Sequence, residues 1–151
     1  MTNAISVKIA ISKIEPYFSL LERILSWDIS HVKKHFLRDN PNINSELAAS
    51  QYFYFIYLVC VTGDTLYVPS REIDAITHSH ILYTHDYRNF CKFCAGADKY
   101  ILHRPHLASL SKEKTEFEKS KIRSLCLSHF GDANLIKVTE LCCPSAMIKI
   151  G

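Results

Sequence analysis

Glycine and proline, the residues that most often interrupt a helix, are scarce in this chain. Four glycines and five prolines occur in 151 residues, and they fall between long segments whose apolar side chains recur at helical spacing. This pattern predicts helices over 16–27, 29–37, 45–60, 69–82, 84–95 and 111–130. Almost no segment alternates apolar and polar residues, so strand is expected to be negligible. The predicted fold is all-α, a compact helical bundle of about six helices.

Length and composition predict one domain. A chain of this size buries roughly two thirds of its unfolded surface around a single core. Hydrophobic residues make up 48% of the chain and charged residues 22%, which is typical of a globular protein and excludes wholesale disorder. No repeat, linker or low-complexity tract divides the sequence. We therefore expect residues 1–151 to form a single helical domain, with its most distinctive motif at 52–106.

Charge and hydropathy limit the classes of partner. The formal net charge is +3, but basic residues are interleaved with acidic ones, as in 111–121, so nucleic acid is not an expected partner. The most apolar run, 52–62, is about half the ~20 residues needed to span a bilayer. The first residues lack the pattern of a secretory signal. The expectation is a cytoplasmic protein with six reduced cysteines, although a bacterial protein delivered into a host cell would have the same features.

A motif of histidines and one aspartate lies in the middle of the chain. On a helix starting at Pro69, Asp74 and His78 fall on one stripe, one turn apart. His80 falls on another stripe, together with two isoleucines. Further along the chain, His103 and His106 flank Arg104-Pro105 in a predicted loop that could fold back over this helix.

The same residues resemble a known family. The ordered set Pro69, Ser70, Asp74, His78, His80, Thr84, Tyr87, Cys91, His103 and Pro105 is similar to the motif of the glycine-rich domain-containing-protein-like family, a domain of unknown function in plants and bacteria. The resemblance covers about a third of the chain. Thr77 stands where the family has tryptophan, Leu102 replaces the first histidine of a later pair, and the glycine-rich segment is absent. The resemblance implies a fold and a motif but no activity.

Two interpretations of the histidine motif remain open. Asp74 and His78, with a third ligand from His80, His85 or His103, would suit a divalent metal such as zinc, iron or manganese. Alternatively, Asp74 accepts a hydrogen bond from His78, and the histidines belong to a polar network that stabilises the fold. The structural interpretation is favoured, because the spacing lacks the specificity of a His-Glu-x-x-His motif. A structural role is likewise predicted for six other motif residues: Pro69, Ser70, Thr84, Tyr87, Cys91 and Pro105.

The cysteines offer a weaker alternative site. Cys91 and Cys94 have a Cys-x-x-Cys spacing, and Cys142 and Cys143 could add two thiolates for a structural zinc ion. Adjacent cysteines bind one tetrahedral ion awkwardly, however, and Cys91 and Cys94 lie among phenylalanines, as buried apolar thiols do. We therefore predict that these two are core residues.

No motif identifies a catalytic nucleophile. The chain has neither a Gly-x-Ser-x-Gly elbow nor a phosphate-binding glycine loop. The first functional hypothesis is a helical binding module that recognises another protein, in which the His/Asp motif is mainly structural. The alternative is a metal-dependent enzyme, a hydrolase or an oxidoreductase, that uses Asp74 and the nearby histidines. Whether the chain is an enzyme is left undecided.

Overall fold

The computed structural model describes residues 17–104 and 110–150, with side chains from residue 19 onward. Six helices occur in these ranges, as the sequence predicts. They are α1 (Tyr17–Leu25), α2 (Ser30–Asp39), α3 (Ser45–Thr62), α4 (Arg71–Leu82), α5 (Thr84–Ala95) and α6 (Lys112–Phe130).

The prediction of a purely helical fold is wrong in one respect, because the described residues also contain a small antiparallel sheet. Its strands are β1 (Leu66–Tyr67), β2 (Lys99–His103) and β3 (Pro144–Lys149), in the spatial order β1-β3-β2. The register places Leu66 and His103 on either side of Ser145. The central strand thus joins two edge strands that are distant from it in sequence.

Local sequence explains where the helices begin and end. The side chains of Asn44, Ser70 and Ser111 each accept a hydrogen bond from a backbone N–H in the first turn, at the starts of α3, α4 and α6. Thr84, by contrast, does not cap α5, which begins without a side-chain cap. Gly63 and Gly131 end α3 and α6 in the left-handed conformation, with φ of 66° and 73°.

Helix α3 forms the centre of the core. Its aromatic segment is buried, and Tyr52, Phe55 and Tyr57 are at most 1% exposed. Helices α1, α2, α4 and α5 pack against it. Cys91 and Cys94, on α5, are also buried, which confirms their predicted place in the core. All six cysteines are free thiols.

Helix α5 covers the outer edge of β2. The Tyr87 hydroxyl donates to the Ile101 carbonyl (2.6 Å), and the Ile101 N–H donates to the Cys91 sulfur (3.5 Å). Tyr87 and Cys91 are one helical turn apart, so both reach the same strand residue. These two motif residues, Tyr87 and Cys91, therefore connect α5 to β2.

Among the described residues, no helix is both long enough and apolar enough to cross a membrane.

Candidate metal site

Helix α4 carries two polar sites on opposite sides, as its pattern predicts. Ile73, Ile76 and His80 are fully buried against the rest of the helical core. Asp74 and His78 instead point toward the sheet, where the Asp74 side chain is 20% exposed and that of His78 is 48% exposed. The second pair therefore lies at a partly open boundary between the helices and the sheet.

Three donor atoms meet at this boundary. The Nε2 atoms of His78 and His103 are 2.9 Å apart, and Asp74 Oδ1 lies 3.3 Å from His103 Nε2 and 3.6 Å from His78 Nε2. A fourth donor, the sulfur of Cys143, completes the group, in which all four atoms lie within 4.8 Å of one another. We refer to Asp74, His78, His103 and Cys143 as the four-residue cluster.

The sheet brings together His103 and Cys143, which are far apart in the sequence. His103 ends β2 and pairs with Ser145 on β3, so Cys143, just before β3, lies next to His103. The Val68 backbone fixes this segment from the other side: Val68 N–H donates to the Cys143 carbonyl (3.0 Å), and Cys142 N–H donates to the Val68 carbonyl (2.7 Å). His103 is thus a strand residue rather than the loop residue expected from the sequence.

A buried serine orients the His103 ring. Ser145, 2% exposed, has its hydroxyl 3.1 Å from His103 Nδ1. When Nδ1–H donates to this hydroxyl, the lone pair of Nε2 points into the cluster. Metal-ligating histidines are typically held in this way, through the ring nitrogen that does not bind the ion.

The carboxylate of Asp74 is incompletely bonded. Its Oδ1 atom is buried and makes no hydrogen bond of acceptable geometry with any described residue. Burial alone would raise the pKa of Asp74, but polar contact with His103 and the charges of the two histidines outweigh it and hold the pKa below its usual value. The carboxylate is therefore ionised at neutral pH.

The thiol of Cys143 has the opposite tendency. Burial raises its pKa, and the nearby negative charge of Asp74 raises it further. The Cys143 sulfur therefore carries a proton while no cation lies beside it, and a bound cation would displace that proton.

The separations of the nitrogen and oxygen donors match tetrahedral coordination, and the Cys143 sulfur lies within 4.8 Å of them. Nitrogen and oxygen ligands about 2.0 Å from a tetrahedral zinc ion lie about 3.3 Å apart, and the three measured separations of 2.9, 3.3 and 3.6 Å surround that value. A carboxylate, two imidazoles and a thiolate are all common zinc ligands. The four-residue cluster could therefore hold a metal ion.

His80, a predicted ligand, does not join the cluster. Its Nδ1 atom is 2.7 Å from the Tyr52 hydroxyl, and its Nε2 atom is 2.8 Å from Asp86 Oδ2. The ring also packs against the aromatic rings of Tyr87 and Phe90. The structure thus places His80 in a separate buried network within the helical core.

The remaining predicted residues lie around the two sites. His85 does not join the cluster, because α4 ends before it. It is exposed on α5, where its ring contacts Asn89. The Pro69 carbonyl accepts from Thr139 N–H, and Ser70 caps α4. Pro105 and His106 lie outside the described residues.

In the sequence, Cys143 is a candidate only for a different thiolate site, together with Cys91 and Cys94. The structure separates it from Cys91 and Cys94, which lie in the core, and brings it to Asp74 and His78 instead. Its position depends on the pairing of β2 with β3. The histidine spacing on α4 gave no signal for that pairing.

Comparisons of the chain with family models, with curated proteins and with solved structures find no match. The resemblance to the glycine-rich domain-containing-protein-like family therefore stays a prediction.

Proposed function

We propose that this protein is a zinc-binding domain, with Asp74, His78, His103 and Cys143 as the ligands. The observation that carries the proposal is the convergence of four metal-binding atoms from distant parts of the chain, within 4.8 Å of one another. The buried oxygen of Asp74 adds support: it lies 3.3 and 3.6 Å from two imidazole nitrogens but makes no well-formed hydrogen bond, and a bound ion would satisfy it.

The donor set favours zinc over manganese, one of the other metals considered from the sequence. Manganese prefers oxygen ligands in an octahedral arrangement, whereas thiolate and imidazole ligands in a tetrahedral arrangement suit zinc. The carboxylate and the thiolate together carry two negative charges, which balance Zn²⁺. A neutral complex is easier to bury than a charged one.

The ion would connect two layers of the fold. Asp74 and His78 belong to α4, His103 to β2, and Cys143 to the segment that leads into β3. A single ion bound to all four would link the helical layer to the sheet, so its binding free energy would add to the stability of the fold.

Metal analysis tests the proposal. We expect metal-free protein to take up one equivalent of Zn²⁺, and to bind Co²⁺ with the absorption of a tetrahedral thiolate complex. Replacing His103 with alanine or Cys143 with serine should weaken zinc binding at least tenfold, because each removes a ligand.

Two matched controls separate the cluster from its surroundings. Cys142→Ser changes the neighbouring cysteine and His85→Ala changes an exposed histidine outside the cluster, so neither should alter zinc affinity. Failure of the wild-type protein to bind Zn²⁺, or equal loss of affinity in the controls, would reject the proposal.

One observation favours a second candidate, the metal-dependent enzyme. The His78 side chain is 48% exposed, so one side of the cluster faces solvent. If Asp74 bound a water molecule in place of the ion, zinc would keep an exchangeable position of the kind that catalytic sites use.

Added azide or cyanide should then change the spectrum of the Co²⁺ protein, whereas a site closed by four protein ligands would show no change. The protein-binding role stays a prediction.

A further inference from the structure

We propose that Cys142 and Cys143 form a peroxide-sensitive dithiol pair, and that its oxidation releases the bound ion. This inference rests on the proposed zinc site and adds a means of regulating it. Cys143 contributes its sulfur to the four-residue cluster. Cys142 is its direct neighbour in the sequence and is not a member of the cluster.

A redox pair consists of a reactive cysteine, which is oxidised first, and a resolving cysteine, which then forms the disulfide with it. Cys143 has the first role and Cys142 the second. Cys143 is 8% exposed, and its sulfur would be a thiolate when bound to zinc, which is the nucleophilic form. Cys142 is partly exposed. Its thiol makes one long contact (3.7 Å), to the Glu140 carbonyl. Burial and the negative charges of Asp74 and Glu140 raise its pKa to about 12, so it keeps its proton until it attacks an oxidised partner. Redox-sensing cysteines are often placed next to such a partner.

The reaction with hydrogen peroxide proceeds in two steps. The Cys143 thiolate attacks one peroxide oxygen, the O–O bond breaks, and Cys143 becomes a sulfenic acid while hydroxide leaves and takes a proton from solvent to form water. The Cys142 sulfur then attacks the sulfenic sulfur. The S–O bond breaks, the S–S bond forms, and the departing hydroxide takes the Cys142 proton to leave as a second water. Two electrons pass from the sulfurs to the peroxide.

Oxidation would remove one of the four ligands. A disulfide sulfur carries no negative charge and is a poor zinc ligand, so the site would keep only its carboxylate and two imidazoles. The remaining set has one charge fewer to balance Zn²⁺. The ion should therefore dissociate.

The backbone makes the disulfide easy to reduce. The Cα atoms of adjacent residues are about 3.8 Å apart across a trans peptide bond, below the roughly 4.4 Å found at the short end of ordinary disulfides. Val68 also hydrogen-bonds to both residues of the pair. Strain of this kind favours reduction, so a thiol reductant should restore the dithiol and the zinc site.

The other cysteines are poorer targets. Cys91, Cys94 and Cys126 do not belong to the four-residue cluster, so no bound ion would convert their thiols to thiolates. Cys60 also lies outside the cluster, so no bound ion would convert its thiol to the nucleophilic thiolate.

Peroxide treatment of the zinc-loaded full-length chain tests the inference. We expect the wild type to lose two of its six thiols and its zinc, measured with a chromogenic chelator. Peptide mass analysis should find the loss of two hydrogens within the peptide that contains Cys142-Cys143. Dithiothreitol followed by Zn²⁺ should restore binding.

Cys142→Ser is the decisive variant. It should bind zinc as the wild type does and still lose it on oxidation, but dithiothreitol should not restore binding, because Cys143 without a partner is oxidised beyond the sulfenic acid. Cys60→Ser is the matched control and should behave as the wild type does.

The outcomes separate this inference from the proposed function. A wild type that binds zinc but keeps it under peroxide would overturn the inference and leave the zinc site intact. Oxidation at other cysteines, or full recovery of Cys142→Ser, would also overturn it. A wild type that binds no zinc would reject both.

Discussion

Two histidines on α4, His78 and His80, are two residues apart and occupy contrasting environments. His80 is completely buried, and both of its ring nitrogens have partners, Tyr52 and Asp86. His78 is half exposed, and its Nε2 atom lies beside another imidazole nitrogen and an aspartate oxygen that has no hydrogen bond. One polar network is complete within the described residues, and the other is not.

This difference separates a polar group that stabilises a fold from one that is suited to bind a ligand. A complete buried network has no further capacity for hydrogen bonds or ligands, so its removal leaves partners unsatisfied. An incomplete cluster of three donor types at an open boundary retains that capacity. Variants of the His80 network and of the four-residue cluster test this comparison.

The largest expected effect is on the complete network. His80→Ala should destabilise the metal-free protein by about 3 to 5 kcal/mol, because it leaves a cavity among aromatic rings and strands the buried Tyr52 hydroxyl. Urea denaturation in the presence of a chelator measures the loss. His85→Ala, an exposed change on the next helix, should stay within about 0.5 kcal/mol of wild type.

If His80→Ala does not fold, His80→Asn provides a milder change that should still lower stability. A His80 variant as stable as the wild type would show that the buried network does not stabilise the fold.

The second-largest effect is the stabilisation expected when Zn²⁺ binds to the four-residue cluster. Zn²⁺ at a hundred times its dissociation constant should stabilise the wild type by about 2.7 kcal/mol, since it binds the folded chain in preference to the unfolded one. Thermal unfolding with zinc and with chelator measures the gain. His103→Ala should lower the gain to about 1.4 kcal/mol or less, because its affinity is at least tenfold weaker, whereas Cys142→Ser should preserve it. An equal gain in His103→Ala would place the ion elsewhere.

A smaller effect is expected from acid. Burial lowers the pKa of His80 below 6.5, although the hydrogen bond to Asp86 opposes the shift. The unfolded chain therefore binds a proton at this residue more readily than the folded chain. The resulting stability is present above pH 6.5 and is lost as pH falls below it, by up to about 1.4 kcal/mol per pH unit.

Urea denaturation between pH 7.5 and 5.5, with chelator, measures this slope, and His80→Asn should reduce it. An unchanged slope in that variant would assign the acid sensitivity to another group.

The smallest effect is expected for the empty cluster. Asp74→Asn should change the stability of the metal-free protein by no more than about 1 kcal/mol, because the side chain is partly exposed and its contacts with His103 and His78, at 3.3 and 3.6 Å, are long. The same variant should bind zinc more weakly. A loss as large as that of His80→Ala would show that Asp74 belongs to a structural network, as the sequence analysis favoured.

The helices were predictable because their signals are local. The segment from Ser70 to Leu82 has acidic residues in its first turn and isoleucines at helical spacing, which predicts a helix. The structure has α4 at Arg71–Leu82. The same spacing separated His80 from the Asp74 and His78 stripe. Packing of a helix against a core follows from its own pattern of apolar residues.

The sheet was not predictable in the same way. β1 has two residues, and β3 begins at a proline after two cysteines, with no alternation of buried and exposed side chains. Its pairing joins His103 to Ser145, which are far apart in the sequence. Such long-range pairing leaves no local signal, so Cys143 could not be assigned to the histidines from the sequence.

The hydrogen bonds that join Tyr87 and Cys91 to the backbone of Ile101 also limit the addition of further strands to the sheet. An edge strand with free N–H and C=O groups can pair with a strand of another molecule. On β2, both backbone groups of Ile101 are bonded to side chains of α5, so an incoming strand would have to displace them. At the opposite edge, β1 offers only two residues. Strand addition between molecules, the first step toward fibrils, is therefore hindered at both edges of this sheet.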